Sequence, residues 1–110
     1  MSELAISLIV YILNYVEFEW DTVKAAKNLE KHGVSFDEAA SSFSDPDIIM
    51  GHDLSHSKAE DRYVAVAKSE RGQVLVTIFT IRRVHDSQKI HRIISSRPAN
   101  QKERKAYPRS

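Results

Sequence analysis

Val74-Leu75-Val76-Thr77-Ile78-Phe79-Thr80-Ile81 decides the fold. The run is β-branched and aromatic and contains neither glycine nor proline, the composition that suits a pleated, packed surface. Its two period-two faces are Val74, Val76, Ile78, Thr80 and Leu75, Thr77, Phe79, Ile81, both largely apolar, as expected of a central strand. Residues 69–73, with Gly72, read as a hairpin turn, and Arg62–Lys68 before them has strand composition. On the other side, residues 85–88 turn the chain into a last strand over 89–96, and Pro98 bars that strand from a central continuation. Hairpins on both sides of one strand predict an antiparallel sheet.

Further upstream, residues 17–20 alternate charged and aromatic side chains, as an edge strand does. Asp21 then caps a helix running to about His32, its carboxylate accepting from orphan backbone N–H groups. Val23, Ala26 and Leu29 are spaced to face a core, with Lys24, Asn28, Lys31 and His32 on another stripe. Gly33 supplies the left-handed position that ends the helix. Ser35 and Glu38 form a capping box for a second short helix through Phe43. Asp45-Pro46-Asp47 is a turn, Ile48 to Met50 begins a strand, and Gly51 to Asp61 is a polar loop. At the far end Asn100 caps a closing helix from Gln101 to about Tyr107. The order is β-α-α-β-β-β-β-α, an α+β fold with an antiparallel sheet and helices gathered on one side.

A chain of 110 residues, 42% hydrophobic and 28% charged, is expected to form one soluble domain. The charge is split. From Arg82 onward nine Lys/Arg face only Asp86 and Glu103, net +7, while the first 81 residues are net −6. A cationic third is an electrostatic footprint for phosphates; its plain alternative is a solvated basic tail. The absence of cysteine excludes a disulfide framework, a thiolate metal site and a Cys nucleophile, and fits a cytoplasmic protein. His52, Asp53 and His56 invite a metal reading, but the loop around Gly51 implies no ligand geometry, so none is expected. Residues 1–15 are set apart by the apolar run from Leu4 to Leu13. It is too short to span a membrane and lacks the basic start of a signal peptide. The expectation is an N-terminal extension, either a packing arm or upstream sequence with the start at Val16, followed by one domain over 16–110.

The last strand places Ile90, Arg92, Ile94 and Ser96 on one face and Lys89, His91, Ile93, Ser95 and Arg97 on the other. A guanidinium among isoleucines must be paired or must serve a ligand. The pairing option is a carboxylate such as Glu60 or Asp61. The ligand option is a cluster of Arg82, Arg92 and Arg97, with Arg83 beside it, gripping a phosphate through bidentate hydrogen bonds. Such a cluster suits RNA cleavage, because RNA brings its own 2′-OH nucleophile. The protein must then stabilise phosphorane charge and move two protons. His32, His91 or a lysine of lowered pKa would move them, although a histidine at a helix C-terminus also serves as a dipole partner. Serine-triad, Walker-loop and dinucleotide patterns do not occur.

Phe18-Glu19-Trp20-Asp21, Lys24, Asn28, Lys31-His32-Gly33-Val34-Ser35-Phe36 and Glu38-Ala39 resemble the opening of BrnT-type ribonuclease toxins. Glu60, Arg62 and Tyr63 continue the match. Arg92-Ile93-Ile94-Ser95-Ser96-Arg97, Ala99 and Glu103-Arg104 to Tyr107 resemble the close. The likeness spans about residues 16–108 and departs at Ala67, where many members have glycine. It implies a RelE-like fold and a metal- and cofactor-independent endoribonuclease, the toxin of a bacterial type II toxin–antitoxin pair. Its implied partners are an RNA substrate and a ribbon-helix-helix antitoxin, with operator DNA met only through the antitoxin complex and no membrane. A homodimer within that complex is left open.

On that resemblance His32, Arg82, Arg92 and Arg97 are the catalytic candidates. Lys24, Lys31, Arg83 and Tyr107 would contact RNA, and Glu60 and Arg62 would support the site. The competing readings are a catalytically inactive antitoxin-binding module acting in operon repression, and an interaction domain assembled through its apolar arm.

Overall fold

The computed structural model describes residues 16–54, 61–83 and 88–108. The elements follow the expected order: β1 (Glu17–Glu19), α1 (Thr22–His32), α2 (Phe36–Ser41), a 3-10 turn (Ser42–Ser44), β2 (Ile49–His52), β3 (Arg62–Lys68), β4 (Val74–Arg83), β5 (Lys89–Pro98) and α3 (Gln101–Ala106). They form one five-stranded sheet in the order β1-β5-β4-β3-β2 with β4 at its centre. β2 to β5 pair antiparallel through consecutive connections, whereas β1 lies parallel to β5 at one edge. The α+β expectation holds; the parallel edge was not legible from hairpin spacing. β2 also runs through Gly51 and His52, two residues beyond the expected strand start, because both pair with β3.

Local chemistry explains the punctuation. Asp21 accepts from the N–H groups of Val23 and Lys24 at 2.8 and 3.1 Å. Gly33 (φ 70°) and Gly72 (φ 81°) take left-handed conformations that a side chain disfavours. Ser35 Oγ accepts from Glu38 N at 3.0 Å, but Glu38 does not reach back. Its buried carboxylate accepts instead from Ser69 Oγ at 2.7 Å, tying α2 to the β3–β4 turn. The full reciprocal box is at Asn100 and Glu103.

The core forms between the helices and one sheet face, where Phe36, Ala39 and Ile93 are buried against Phe18, Trp20, Ala25 and Ala40. Phe79, Leu75 and Val34 are also fully buried, each worth about 1.5–3 kcal/mol of transfer free energy. The fold does not bury the expected core stripe of α1. Val23 and Leu29 are 61% and 51% exposed, whereas Asn28 is buried. The Asn28 amide donates to Val34 O and Ser96 O at 3.0 and 2.8 Å and accepts from Ser96 N at 3.1 Å. The helix turns its polar residue inward because three backbone groups there need partners, a requirement that hydrophobic spacing does not reveal.

An irregularity in β5 changes the reading of its faces. Ile78 pairs with Ser95 and Phe79 with Ile93, so Ile94 is an extra residue. Such a bulge resets the alternation. Ser96 joins the buried face, where its hydroxyl meets Thr77 Oγ1 at 2.9 Å. Arg97 moves to the face of Arg92, opposite to the period-two expectation.

Candidate nucleic-acid interface

The sheet face turned away from the helix core collects the arginines. Register places Arg62 opposite Thr80, Thr80 opposite Arg92, and Arg92 opposite Glu19, one row across β3, β4, β5 and β1. Arg82, two residues along β4, shares this face, as do Glu17 beside β5 and Arg97 beyond the bulge. Arg83 has the opposite parity and is exposed at the strand end.

Glu19 joins two of the arginines. Arg82 donates from Nη2 to Glu19 Oε1 at 2.8 Å and from Nε to Oε2 at 3.3 Å, and Arg92 Nη1 donates to Oε2 at 3.0 Å. Hydrogen bonding from Arg82, then from Arg92, outweighs partial burial and lowers the Glu19 pKa, so the carboxylate is ionised at neutral pH. Next to it, Gln88 Nε2 donates to Glu17 at 2.8 Å. The expected arginine–carboxylate pairing therefore exists with a different partner. Asp61 makes no ion pair among the described residues, and Glu60 lies outside them.

Arg97 forms a second, separate unit. Its Nη1 and Nη2 donate to the two oxygens of Glu103 at 2.8 Å each. Arg97 hydrogen bonding, against some burial, pulls the Glu103 carboxyl down to about 2. Arg97 and Arg92 lie opposite Val76 and Thr80, four residues apart on β4, which is about 14 Å of strand. Arg82 and Arg92 are thus brought together, with Arg62 one strand beyond Thr80, and Arg97 stands apart.

The remaining candidates are dispersed. Lys24 and Lys31 are exposed on α1, and His32 is half-buried at its C-terminal end, in the helix layer. His32 makes no hydrogen bond or ion pair to the arginine row. His91 is buried on the helix face, its ring stacked on Phe79 (5.2 Å) and edge-on to Phe18 and Phe43, with Nδ1 lacking a partner. Tyr107 is buried, and its hydroxyl donates to Asp45, which also accepts from Lys68 N at 2.7 Å. Burial first, and then Asp45, push the Tyr107 pKa up to about 12. This contact fastens α3 to the turn before β2. Among the described residues no group of three or more metal-ligating side chains occurs; His52 packs on Tyr63, and His56 lies outside them. No described helix is long and apolar enough to cross a membrane.

Glu19 and Glu103 are the site-face residues that sequence reasoning missed. The signal for Glu19 was the alternation in 17–20, which puts it on one side with Glu17. Knowing that its neighbour is β5 required the parallel pairing.

Residues 20–103 match the family model described as ribonuclease toxin, BrnT, of type II toxin-antitoxin system. Among solved structures, the chain is similar to the crystal structure of the Brucella abortus ribonuclease toxin BrnT. The two share 24% identity with a TM-score of 0.56, over 78% of this chain and 99% of that one. At this identity the likeness supports the fold. No curated protein matches the chain.

Proposed function

The chain belongs to the BrnT family of ribonuclease toxins of type II toxin–antitoxin systems, and from that membership we propose that it is a metal- and cofactor-independent endoribonuclease whose phosphate site is the arginine face of the sheet. The observation that carries this reading is the adjacent pair Arg82 and Arg92, half-exposed on one face and held by a common carboxylate. Planar guanidiniums that converge on one carboxylate carry the donor geometry that a phosphate also accepts, and their charge suits a phosphorane that gathers negative charge.

In the proposed reaction the 2′-oxygen attacks the adjacent phosphorus in line and loses its proton. The bond to the 5′-oxygen breaks, and that oxygen takes up a proton. The products are a 2′,3′-cyclic phosphate and a 5′-hydroxyl. Arg92 and Arg82 hold the scissile phosphate, and Arg62 meets a neighbouring one. Arg97, in its unit with Glu103, contacts RNA farther along the strand, with Arg83, Lys24 and Lys31 steering the backbone around the β5 edge. His32 is the proton-transfer candidate of this reading on the family resemblance alone, since no described contact joins it to the arginine pair; His91 lies in an aromatic pocket and His52 packs on Tyr63. Tyr107 and Glu60 act, in this reading, as support for the site rather than on the RNA.

A ribbon-helix-helix antitoxin would neutralise the toxin and carry the complex to operator DNA in the cytoplasm, with residues 16–110 as the toxin unit. The test is cleavage of RNA by the full chain in excess EDTA, with end analysis. Cyclic ends that disappear in Arg92→Ala are expected. Growth inhibition without RNA cleavage, or cleavage that Arg92→Ala leaves intact, would overturn the assignment. A chain that represses an operon with its antitoxin yet neither cleaves nor inhibits growth would be the inactive binding module instead.

A further inference from the structure

We propose that Glu19 is a positioning residue of the ribonuclease site, a carboxylate that aims Arg82 and Arg92 at a single phosphate; this rests on the reading of the arginine face given above. Glu19 stands on β1, Arg92 on β5 and Arg82 on β4, so three strands contribute to one contact. Its two oxygens take three donors: Nη2 and Nε of Arg82 and Nη1 of Arg92, at 2.8, 3.3 and 3.0 Å. Arg82 spends one edge of its guanidinium on Glu19 and keeps Nη1. Arg92 spends one nitrogen and keeps Nε and Nη2. The two side chains are thereby fixed relative to each other, with N–H groups left for a ligand.

The contact is too exposed to be a stability device. Arg82 and Arg92 side chains are 55% and 44% exposed and Glu19 is 27% exposed, and ion pairs in such places contribute little to folding. A long arginine freely sampling its rotamers is, however, a poor electrostatic catalyst, because it must be ordered at the moment of reaction. Glu19 supplies that order before RNA arrives. It does so at the cost of one positive charge on a face that must attract RNA. A carboxylate gripped by two guanidiniums is also a weak base, so Glu19 does not take the 2′-OH proton.

These features oppose affinity to turnover. Removing Glu19 frees both arginines, raises the local charge by one and admits more phosphate contacts, while the aligned pair is lost. For Glu19→Ala we expect binding of an uncleavable 2′-deoxy oligonucleotide to tighten severalfold, with a steeper salt dependence. The single-turnover cleavage rate of the matching RNA should fall at least tenfold. Glu19→Gln, which keeps one acceptor oxygen, should lie between, with an unchanged pH–rate profile.

Arg92→Ala, measured beside them, separates the two readings. If Arg92→Ala cleaves as the unaltered chain does, or if no form cleaves, the ribonuclease reading of this face is lost, and the proposal with it. If Arg92→Ala is inactive while Glu19→Ala cleaves at full rate, Glu19 positions nothing and only the proposal is overturned. Loss of binding and cleavage together in both Glu19 variants, with a lowered melting temperature, would make Glu19 a structural residue and also overturn it. Abolished cleavage in Glu19→Gln with loss of the acid limb of the pH profile would make it the general base instead.

Discussion

Asn28 stands in for a strand beside Ser96. β1 ends its pairing with β5 at Glu19 opposite Arg92, and farther along the same strand the Asn28 amide both accepts from and donates to the Ser96 backbone. One side chain on α1 thus satisfies the backbone of Ser96 and fixes the helix against the strand. Replacing Asn28 with Ala should leave the Ser96 N–H and C=O and the Val34 carbonyl underpaired. The expected loss is about 2–4 kcal/mol, since each stranded buried group costs about 1–3 kcal/mol. Urea unfolding of Asn28→Ala measures it; a loss below about 0.5 kcal/mol, the range of neutral surface changes, would contradict this role.

The opposite outcome is expected one residue on. Leu29 is half-exposed, so Leu29→Ala should shift stability by less than about 1 kcal/mol, against about 2–5 kcal/mol for Ile93→Ala in the core. Comparable losses in the two variants would mean that α1 buries its apolar stripe after all.

The contrast marks the limit of the sequence reading. Element order, the caps at Asp21 and Asn100 and the faces of β4 were legible, because each depends on residues close in the chain. Register was not. The Ile94 bulge brings Arg97 to the Arg92 face, and no local feature of Ile93-Ile94-Ser95-Ser96 announces it. The arginines of the proposed site were legible as cations in an apolar strand, while their carboxylate partners, Glu19 and Glu103, depend on which segments meet in space.

Acid should weaken the fold in two steps. His91 has its pKa lowered from 6.5, by burial first and by the Lys89 charge second. The unfolded chain therefore takes up this proton before the folded one, and stability declines as pH falls below 6.5. Glu103 has its pKa lowered from 4.5 to about 2. Its contribution is present above 4.5 and is lost as pH falls from there toward 2. After solvent screening this second loss is about 1 kcal/mol. Melting temperatures across pH 4.5–7 should flatten in His91→Phe, which keeps the aromatic stack without a titrating ring. An unaltered slope in that variant would assign the first step to another group.

Arg62 should act as an outlying phosphate contact. Arg62→Ala is expected to reduce the slope of log affinity against log salt for RNA by about one, with a roughly uniform loss across sequences. Filter binding at several salt concentrations reads this directly. A slope unchanged from that of the unaltered chain would remove Arg62 from the interface.

The parallel pairing of β1 with β5 also has a consequence in time. Glu19 leaves the ribosome 73 residues before Arg92, its ion-pair partner, and among the described residues β1 joins no other strand. Contacts of such long sequence separation close late, after the intervening chain has been ordered. The arginine pair therefore has no aligned form on a nascent chain that has not yet released β5. A chain interrupted before residue 89 would carry Arg62 and Arg82 without Arg92. On the proposed reading, the harmful site is complete only once β5 has followed the other strands out of the ribosome.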